Sequence, residues 1–303
     1  MLTEDIDRYL SLRRSLGWGL RDAERHLRAY AAFAAERGDS HVRTATAVDW
    51  AATAPSPHGR HVCLRDVVRF ARFVRAEDPA HEVPPLTHFR RSYVRPLPYI
   101  YTSEEIARIL AATGRLRPTY PLRRRMYATL FGLIAATGLR ISEALHLRMD
   151  DVLPEGVLLI EGTKFRKSRL VPLHPTATEA LDGYLDVRRR VAAESDHVFL
   201  SVRNQRLSEM TARFAFRHIL KLTGIAAGRA RLPRIHDLRH RFATRALESC
   251  PAERRAVSRH FVALSTYLGH VDIRGTYWYL QATPEMMTDI ASAGEALAGG
   301  GGR

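Results

Sequence analysis

The last quarter of the chain gathers residue types that suit phosphoryl transfer. His236 and Arg239 lie three positions apart in RIHDLRHRFATRAL, and His270 and Tyr279 follow in YLGHVDIRGTYWYLQAT. If the first stretch is helical, His236 and Arg239 project from one face, with about 5–6 Å between their Cβ atoms. A guanidinium, two imidazoles and a phenol, without a carboxylate cluster or a metal-binding signature, suit the attack of a tyrosine hydroxyl on a phosphate.

Such a reaction needs cations around the phosphate and a proton donor for the leaving oxygen. Arg140 and Arg239 are the candidates for binding the phosphate, because a guanidinium is planar, always charged and able to donate two parallel hydrogen bonds. Lys164, at the start of a predicted hairpin turn, is the candidate proton donor. His236 and His270 could bind a phosphate oxygen or carry the proton of the tyrosine.

Two tyrosines are candidates for the nucleophile. Tyr277 and Tyr279 flank Trp278 and would point about 200° apart on a helix, so only one of them can face the arginines. A tyrosine hydroxyl has a pKa of about 10 and needs nearby positive charge to attack at neutral pH. The residue types alone do not choose between the two.

A zinc site is the competing interpretation of the HDLRH segment. His236 and His240 have the i, i+4 spacing of zinc proteases, with Asp237 where those enzymes carry glutamate. Aspartate is one methylene shorter than the expected general base, and Arg239 and Arg241 would crowd a dication. Zinc is therefore disfavoured, and no cofactor is expected.

The overall charge favours a polyanionic partner. The 303 residues carry 47 Lys and Arg against 32 Asp and Glu, a net charge of +15, so nucleic acid is the first expectation and an anionic membrane surface the second. Residues 1–99 hold 16 basic and 12 acidic residues, which leaves +11 of the net charge in 100–303. No apolar run is long enough to span a membrane and the N-terminus lacks signal-peptide character, so a cytoplasmic protein is expected.

The elements that position these residues are predicted to be mostly helical. Residues 1–83 show apolar positions three and four apart and predict a four-helix domain, and the proline-rich residues 84–99 predict a linker. Thr102 has the pattern of an N-cap, and a later helix ends at Thr137-Gly138. There LRISEALHLRMDDV, residues 139–152, is expected to begin a new helix, with Arg140 at the corner between the two helices. The segment GVLLIEGTKFRKSRLVPLH predicts a β-hairpin, helices are expected at about 175–193 and 208–223, and VFLS predicts a short strand between them.

With these residues the sequence resembles the tyrosine recombinase (phage integrase) family across 100–283. TGLRISEAL matches the segment with the first arginine of the family, GTKFRKSRLVPL the hairpin with its lysine, HDLRH its His-x-x-Arg box and LGH its last histidine. In the family the nucleophile follows that histidine by nine residues, which selects Tyr279. The resemblance therefore implies the following catalytic residues: Arg140, Lys164, His236, Arg239, His270 and Tyr279.

The resemblance also implies an architecture and partners. It implies a mainly helical fold with a small antiparallel β-hairpin or sheet, in a core-binding domain at 1–83, a catalytic domain at 100–283 and a C-terminal helix and tail at 284–303. Double-stranded DNA is the expected substrate, and it would be cut and rejoined without metal or ATP. The protein is expected to act as a homotetramer in the synaptic complex, where partner recombinases could also take part. The free protein would be a monomer or dimer. We expect DNA contacts from the following basic residues: Arg90, Arg91, Arg95, Lys167, Arg169 and Arg241.

Two other functions share this fold. A type IB-like topoisomerase would use the same chemistry to relax supercoils as a monomer, and a catalytically silent regulator would only bind its site. The complete set of catalytic residue types argues against the regulator. The layout of the N-terminal domain and the helix expected at 284–296, a candidate for packing into a neighbouring subunit or onto its own domain, argue mildly against the topoisomerase.

Overall fold

The protein consists of two compact units, Met1–Pro96 and Leu97–Arg303. The division falls within the segment expected to link two domains. The computed structural model describes residues 2–89, 97–117, 121–161, 168–191, 193–225, 227–229, 231–249 and 254–269. No helix in these ranges is long and apolar enough to cross a membrane.

The first unit is a bundle of four helices around its own core. The helices are α1 (Leu2–Ser15), α2 (Arg21–Ala35), α3 (Thr44–Ala52) and α4 (Pro57–Val74). The apolar stripe of α4 that the sequence predicted is buried, as Leu64, Val67 and Phe70 show. The helix begins where the side chain of Ser56 accepts a hydrogen bond from the backbone of Gly59.

The second unit surrounds a long central helix. Its helices are α5 (Ser103–Ala112), α6 (Pro121–Thr137), α7 (Ile141–His146), α8 (Pro175–Arg189), α9 (Glu209–Thr223), α10 (Ile235–Glu248) and α11 (Arg254–Tyr267). α6 packs against α5, α8 and α10. The predicted start of α5 is confirmed: Thr102 and Glu105 form a reciprocal capping box.

A three-stranded antiparallel sheet lies beside these helices, so the predicted fold class is confirmed. β1 (Val152–Leu153), β2 (Val157–Ile160) and β3 (Arg169–Pro172) follow one another in the sheet. The predicted hairpin is β2 and β3, with Ile160 opposite Arg169 at the end where the chain passes from one strand to the other. Leu158 and Val171 are buried on the core face. The sequence did not predict β1, which has only two residues.

Two local expectations were wrong. The residues of VFLS are not a strand, because their backbone groups bond to separate segments: the N–H of Val198 donates to Leu147, and the carbonyl of Phe199 accepts from Leu207. Both side chains are fully buried. The segment is therefore apolar because it packs in the core, and not because it pairs in a β-sheet. The helix expected to run from Leu139 into the 150s also ends early, at His146.

Candidate active site

The corner between α6 and α7 carries Arg140. Gly138 follows the last residue of α6 with φ +65°, and its N–H donates to the carbonyl of Ile134 at 2.9 Å. A Cβ at this position would lie 2.5 Å from Cδ1 of Phe242 and 2.9 Å from Cδ2 of Leu268. Glycine is thus required for both its backbone conformation and its small size. The chain then turns extended at Arg140, the N-cap of α7.

Glu143 holds Arg140 from within the first turn of α7. The carboxylate accepts from the backbone N–H of Arg140 at 3.0 Å and from its Nη1 at 2.7 Å, and Nη2 donates to the carbonyl of Gly269 at 3.2 Å. The Arg140 side chain is 34% exposed, whereas Glu143 is 7% exposed. Burial alone would raise the pKa of the Glu143 carboxyl, but hydrogen bonds and charge from Arg169 and Arg140 lower it below its ordinary value. A buried carboxylate therefore orients a guanidinium that still reaches solvent.

Arg239 reaches the same corner from α10. It is 1% exposed, and it donates from Nη1 to the carbonyl of Gly138 at 2.5 Å and from Nη2 to the carbonyl of Leu268 at 2.9 Å. Arg140 and Arg239 therefore bind consecutive carbonyls, those of Gly269 and Leu268. Two arginines far apart in sequence meet at the turn that immediately precedes His270.

His236, at the start of α10, faces the same cleft as Arg140. Both residues line a cleft of about 490 Å³, together with Arg213, Arg217 and Arg234. Among the described residues that line the cleft, Glu209 is the one that is acidic. The excess of guanidinium groups favours a negatively charged ligand.

Asp237 has a structural role in this helix. Its Oδ2 accepts from the backbone N–H of Arg234 at 2.7 Å, and its Oδ1 accepts from Nη2 of the same residue at 2.9 Å. The rings of His236 and His240 lie 4.6 Å apart at 82°, and His240 is 1% exposed. Because Asp237 caps the helix and binds a guanidinium, the zinc-protease interpretation gains no support from the geometry.

Arg169 and Arg241, both expected to contact DNA, make several bonds within the second unit. Arg169 donates from Nε to the carbonyl of Tyr267 at 2.8 Å and from Nη2 to Glu143 at 2.9 Å. Arg241 donates from Nε to the carbonyl of Tyr101 at 2.7 Å, and burial lowers its pKa. Their contact with DNA stays a prediction.

The remaining site predictions lie outside the described residues. They are Arg90, Arg91, Arg95, Lys164, Lys167, His270, Tyr277 and Tyr279. The sequence reasoning missed Glu143, although a signal was present: an acidic residue three positions after the N-cap is the pattern of a capping box. The structure shows one half of that pattern, because Glu143 accepts from the backbone N–H of Arg140, whereas an arginine side chain has no acceptor with which to return the bond.

Among the residues that the structure describes, one group has the ligand types and spacing for a metal ion. It lies in the first unit and consists of His41, Asp78 and His81, whose ligand atoms are within 4.8 Å of one another. Nδ1 of His81 accepts from the backbone N–H of Val42 at 3.0 Å, so a neutral ring carries its proton on Nε2, the atom that would have to bind the ion. Nε2 of His41 lies 3.1 Å from the Asp78 carboxylate. The geometry favours a hydrogen-bonded network over a metal centre.

Comparisons with known proteins give relatives along almost the whole chain. The sequence model described as the phage integrase family matches residues 100–286. The protein y4rB of Sinorhizobium fredii (strain NBRC 101917 / NGR234), described as an integrase/recombinase, is 38% identical over 296 residues, or 94% of this chain and 94% of that protein. The tyrosine recombinase XerD of Mycobacterium tuberculosis (strain ATCC 25618 / H37Rv) is 34% identical over 230 residues, or 72% of this chain and 68% of XerD.

Solved structures share the fold at lower identity. The XerA recombinase is 19% identical with a TM-score of 0.53, over 97% of this chain and 98% of that one. The Tn1549 transposon integrase, solved in complex with transposon right end DNA, is 15% identical with a TM-score of 0.68, over 96% of this chain and 98% of that one. These similarities show a common architecture.

Proposed function

The chain belongs to the phage integrase family, and from this premise we propose that it is a site-specific recombinase that breaks and rejoins DNA through a 3′-phosphotyrosyl intermediate. One observation carries the proposal for the site. Arg140, at the N-cap of α7, and Arg239, on α10, converge on the Leu268–Gly269 turn, and His236 lines the same basic cleft as Arg140. The convergence of these residues supports a site that binds one phosphodiester.

The two arginines stabilise the charge that develops during attack. As a nucleophile adds to a phosphodiester, negative charge grows on the non-bridging oxygens, and fixed guanidinium donors stabilise it without reorganisation. Arg140 is the donor exposed to the cleft. Arg239 is buried, where its charge is weakly screened, and it also ties α10 to the Gly138 corner.

Tyr279 is the proposed nucleophile. Its hydroxyl oxygen forms a bond to phosphorus as the bond to the 5′ oxygen breaks, and Lys164 donates a proton to that leaving oxygen. His236 and His270 bind the phosphate and assist the transfer of the tyrosine proton. Because the phosphotyrosyl ester conserves the energy of the broken phosphodiester, attack by a 5′-hydroxyl rejoins the DNA without ATP and releases the tyrosine.

Relatives support the choice of DNA as substrate. Structural neighbours include XerH bound to its difH substrate in a post-cleavage complex and a lambda integrase tetramer bound to a Holliday junction. We propose that this chain binds double-stranded DNA and recombines it as a homotetramer. We also propose that the DNA that it recombines belongs to a mobile element such as a transposon. We also propose that it acts in the cytoplasm, at the nucleoid.

Covalent trapping tests the proposal. The wild-type protein is incubated, without added metal, with nicked duplexes drawn from DNA that flanks its gene, and denaturing gels detect a protein–DNA adduct. We expect an adduct with the wild type and with Tyr277→Phe, and none with Tyr279→Phe. Arg140→Lys, which keeps the charge but loses the two-pronged donor, should slow adduct formation by about 10²-fold or more.

Other outcomes identify the alternative functions. Relaxation of supercoiled DNA by single subunits, without synapsis, would indicate a topoisomerase. Tight, specific binding with no adduct on any substrate would indicate a regulator. An adduct that persists in Tyr279→Phe would refute the assignment of the nucleophile.

A further inference from the structure

Arg169, the first residue of β3, is largely buried, although it is a basic residue of a protein that we propose binds DNA. Its side chain is only 11% exposed. Nη1 and Nη2 bind the two carboxylate oxygens of Glu143 at 3.2 and 2.9 Å, and Nε donates to the carbonyl of Tyr267 at 2.8 Å. Its donors are therefore directed into the protein, towards two segments that also hold Arg140.

The turn at Gly269 is built around this guanidinium. Gly269 has φ +64°, and a Cβ there would lie 2.7 Å from Nη1 of Arg169 and 2.9 Å from its Cζ. The carbonyl of the same glycine accepts from Arg140. Tyr267 is bound to β3 a second time, because its hydroxyl donates to the carbonyl of Pro172 at 3.2 Å. β3 thus fixes the turn on which Arg140 and Arg239 converge.

Arg169 also changes the charge that a phosphate meets. Glu143 is 7% exposed and binds Arg140 as well as Arg169. If Arg140 and Glu143 formed a pair alone, the guanidinium at the cleft would be neutralised by the carboxylate. With Arg169 as the second partner, the three groups carry a net charge of +1, and Arg140 retains its attraction for an anion.

We propose that Arg169 is a positioning residue for DNA cleavage: it neutralises Glu143 and holds the Tyr267–Gly269 turn, and so keeps Arg140 charged and correctly placed towards the scissile phosphate. In this role Arg169 acts through Glu143 and Arg140, in place of the DNA contact that the sequence predicted for it. The inference rests on the proposed recombinase function.

The first test separates positioning from DNA contact. Arg169→Met removes the charge at similar length, and Arg148→Met is the matched control, because Arg148 is 60% exposed and pairs only with the surface residue Asp196 among the described contacts. We expect Arg169→Met to bind DNA with an unchanged dependence of affinity on salt and to form the covalent adduct 10- to 100-fold more slowly at saturating DNA. A residue that contacts a phosphate would instead lower the salt slope by about 1.

The second test links Arg169 to Glu143. Arg169→Lys keeps the buried charge and should restore most of the cleavage rate, which a mere packing role would not predict. If Arg169 acts by neutralising Glu143, its removal should matter far less once the carboxylate is gone. Arg169→Met in a Glu143→Gln background should therefore slow cleavage less than 3-fold, so that the two effects are not additive.

Three results would overturn the inference. They are a salt slope reduced by about 1, a wild-type cleavage rate in Arg169→Met at saturating DNA, and fully additive effects of the two substitutions. Thermal unfolding of each variant sets an assay temperature at which all of them are folded. Failure of the proposed function is distinguishable, because then the wild-type protein itself forms no adduct.

Discussion

Replacing Gly138 by alanine should destabilise the second unit more than the same change at a glycine that has a similar backbone but open space around its added Cβ. The added methyl group faces the ring of Phe242 at 2.5 Å and Leu268 at 2.9 Å. The ring cannot withdraw freely, because it stacks on Tyr267 with 5.6 Å between centroids and 22° between planes. The substitution therefore combines backbone strain with overpacking.

The expected loss of unfolding free energy is the sum of these two parts. A left-handed conformation costs a non-glycine residue about 1–2 kcal/mol, and overpacking in a filled core costs about 1–3 kcal/mol. Gly138→Ala should thus lower the free energy of unfolding by about 2–5 kcal/mol. Gly224, with φ +69° and no atom within 4 Å of its added Cβ, would show the strain alone. Gly183 lies inside α8 with open space around it, so alanine there should stabilise by roughly 0.5–1 kcal/mol.

Thermal unfolding followed by circular dichroism measures the series. For a domain of this size, 1 kcal/mol shifts the melting midpoint by about 2–4 °C, so Gly138→Ala should melt roughly 10 °C below the wild type. Gly224→Ala should fall by a few degrees, and Gly183→Ala should not fall. Because the methyl group displaces Leu268, whose carbonyl binds Arg239, the adduct should also form more slowly. If Gly138→Ala melts at the same temperature as Gly224→Ala, the close packing of this corner is refuted.

Three further predictions concern single elements. Thr102→Ala, which removes the side chain that accepts from the backbone of Glu105, should cost about 1 kcal/mol of unfolding free energy in denaturant titrations, and no loss would contradict the capping role. Phe216→Ala should cost about 3–5 kcal/mol in the same assay, whereas Phe214→Ala, on the same helix but 60% exposed, should stay within about 0.5 kcal/mol. Burial, and then the nearby charge of His41, lower the pKa of His81 below 6.5. The folded state therefore takes up this proton less readily than the unfolded state, and the first unit should be fully stabilised above pH 6.5 and lose stability as the pH falls through that value towards the lowered pKa. His81→Gln should flatten this dependence in unfolding followed by tryptophan fluorescence, and an unchanged slope would show that His81 is not its source.

Much of the fold follows from local patterns. The four helices of the first unit, the capping box at Thr102 and the hairpin of β2 and β3 all appear where the sequence predicted them. These features depend on residues within a few positions of one another, through hydrogen bonds to helix ends and through the period of apolar side chains. The local pattern gave a wrong prediction at VFLS, because Val198 and Phe199 are apolar as buried core residues and do not form a strand.

The candidate site divides in the same way. The types of Arg140, His236 and Arg239, with the spacing of the last two, were sufficient to suggest phosphate chemistry, because a guanidinium stays charged and donates in pairs to phosphate oxygens and an imidazole carries protons near neutral pH. The family resemblance, and not geometry, selected Tyr279. The sequence carried a capping signal at Glu143 but no sign that a second arginine shares its carboxylate.

Contacts between distant positions were decided only by tertiary packing. Arg169 on β3 binds Glu143 on α7. Arg239 is buried and donates to the carbonyls of Gly138 and Leu268. Gly269 must lack a Cβ because the guanidinium of Arg169 lies against it. None of these contacts can be predicted from neighbouring residues in the sequence, because each joins elements that are far apart in the chain and meet only when the helices and strands pack together. The residue types set which chemistry is available, and the packing of α7, α10 and β3 decides which arginine faces the cleft and which ones hold it there.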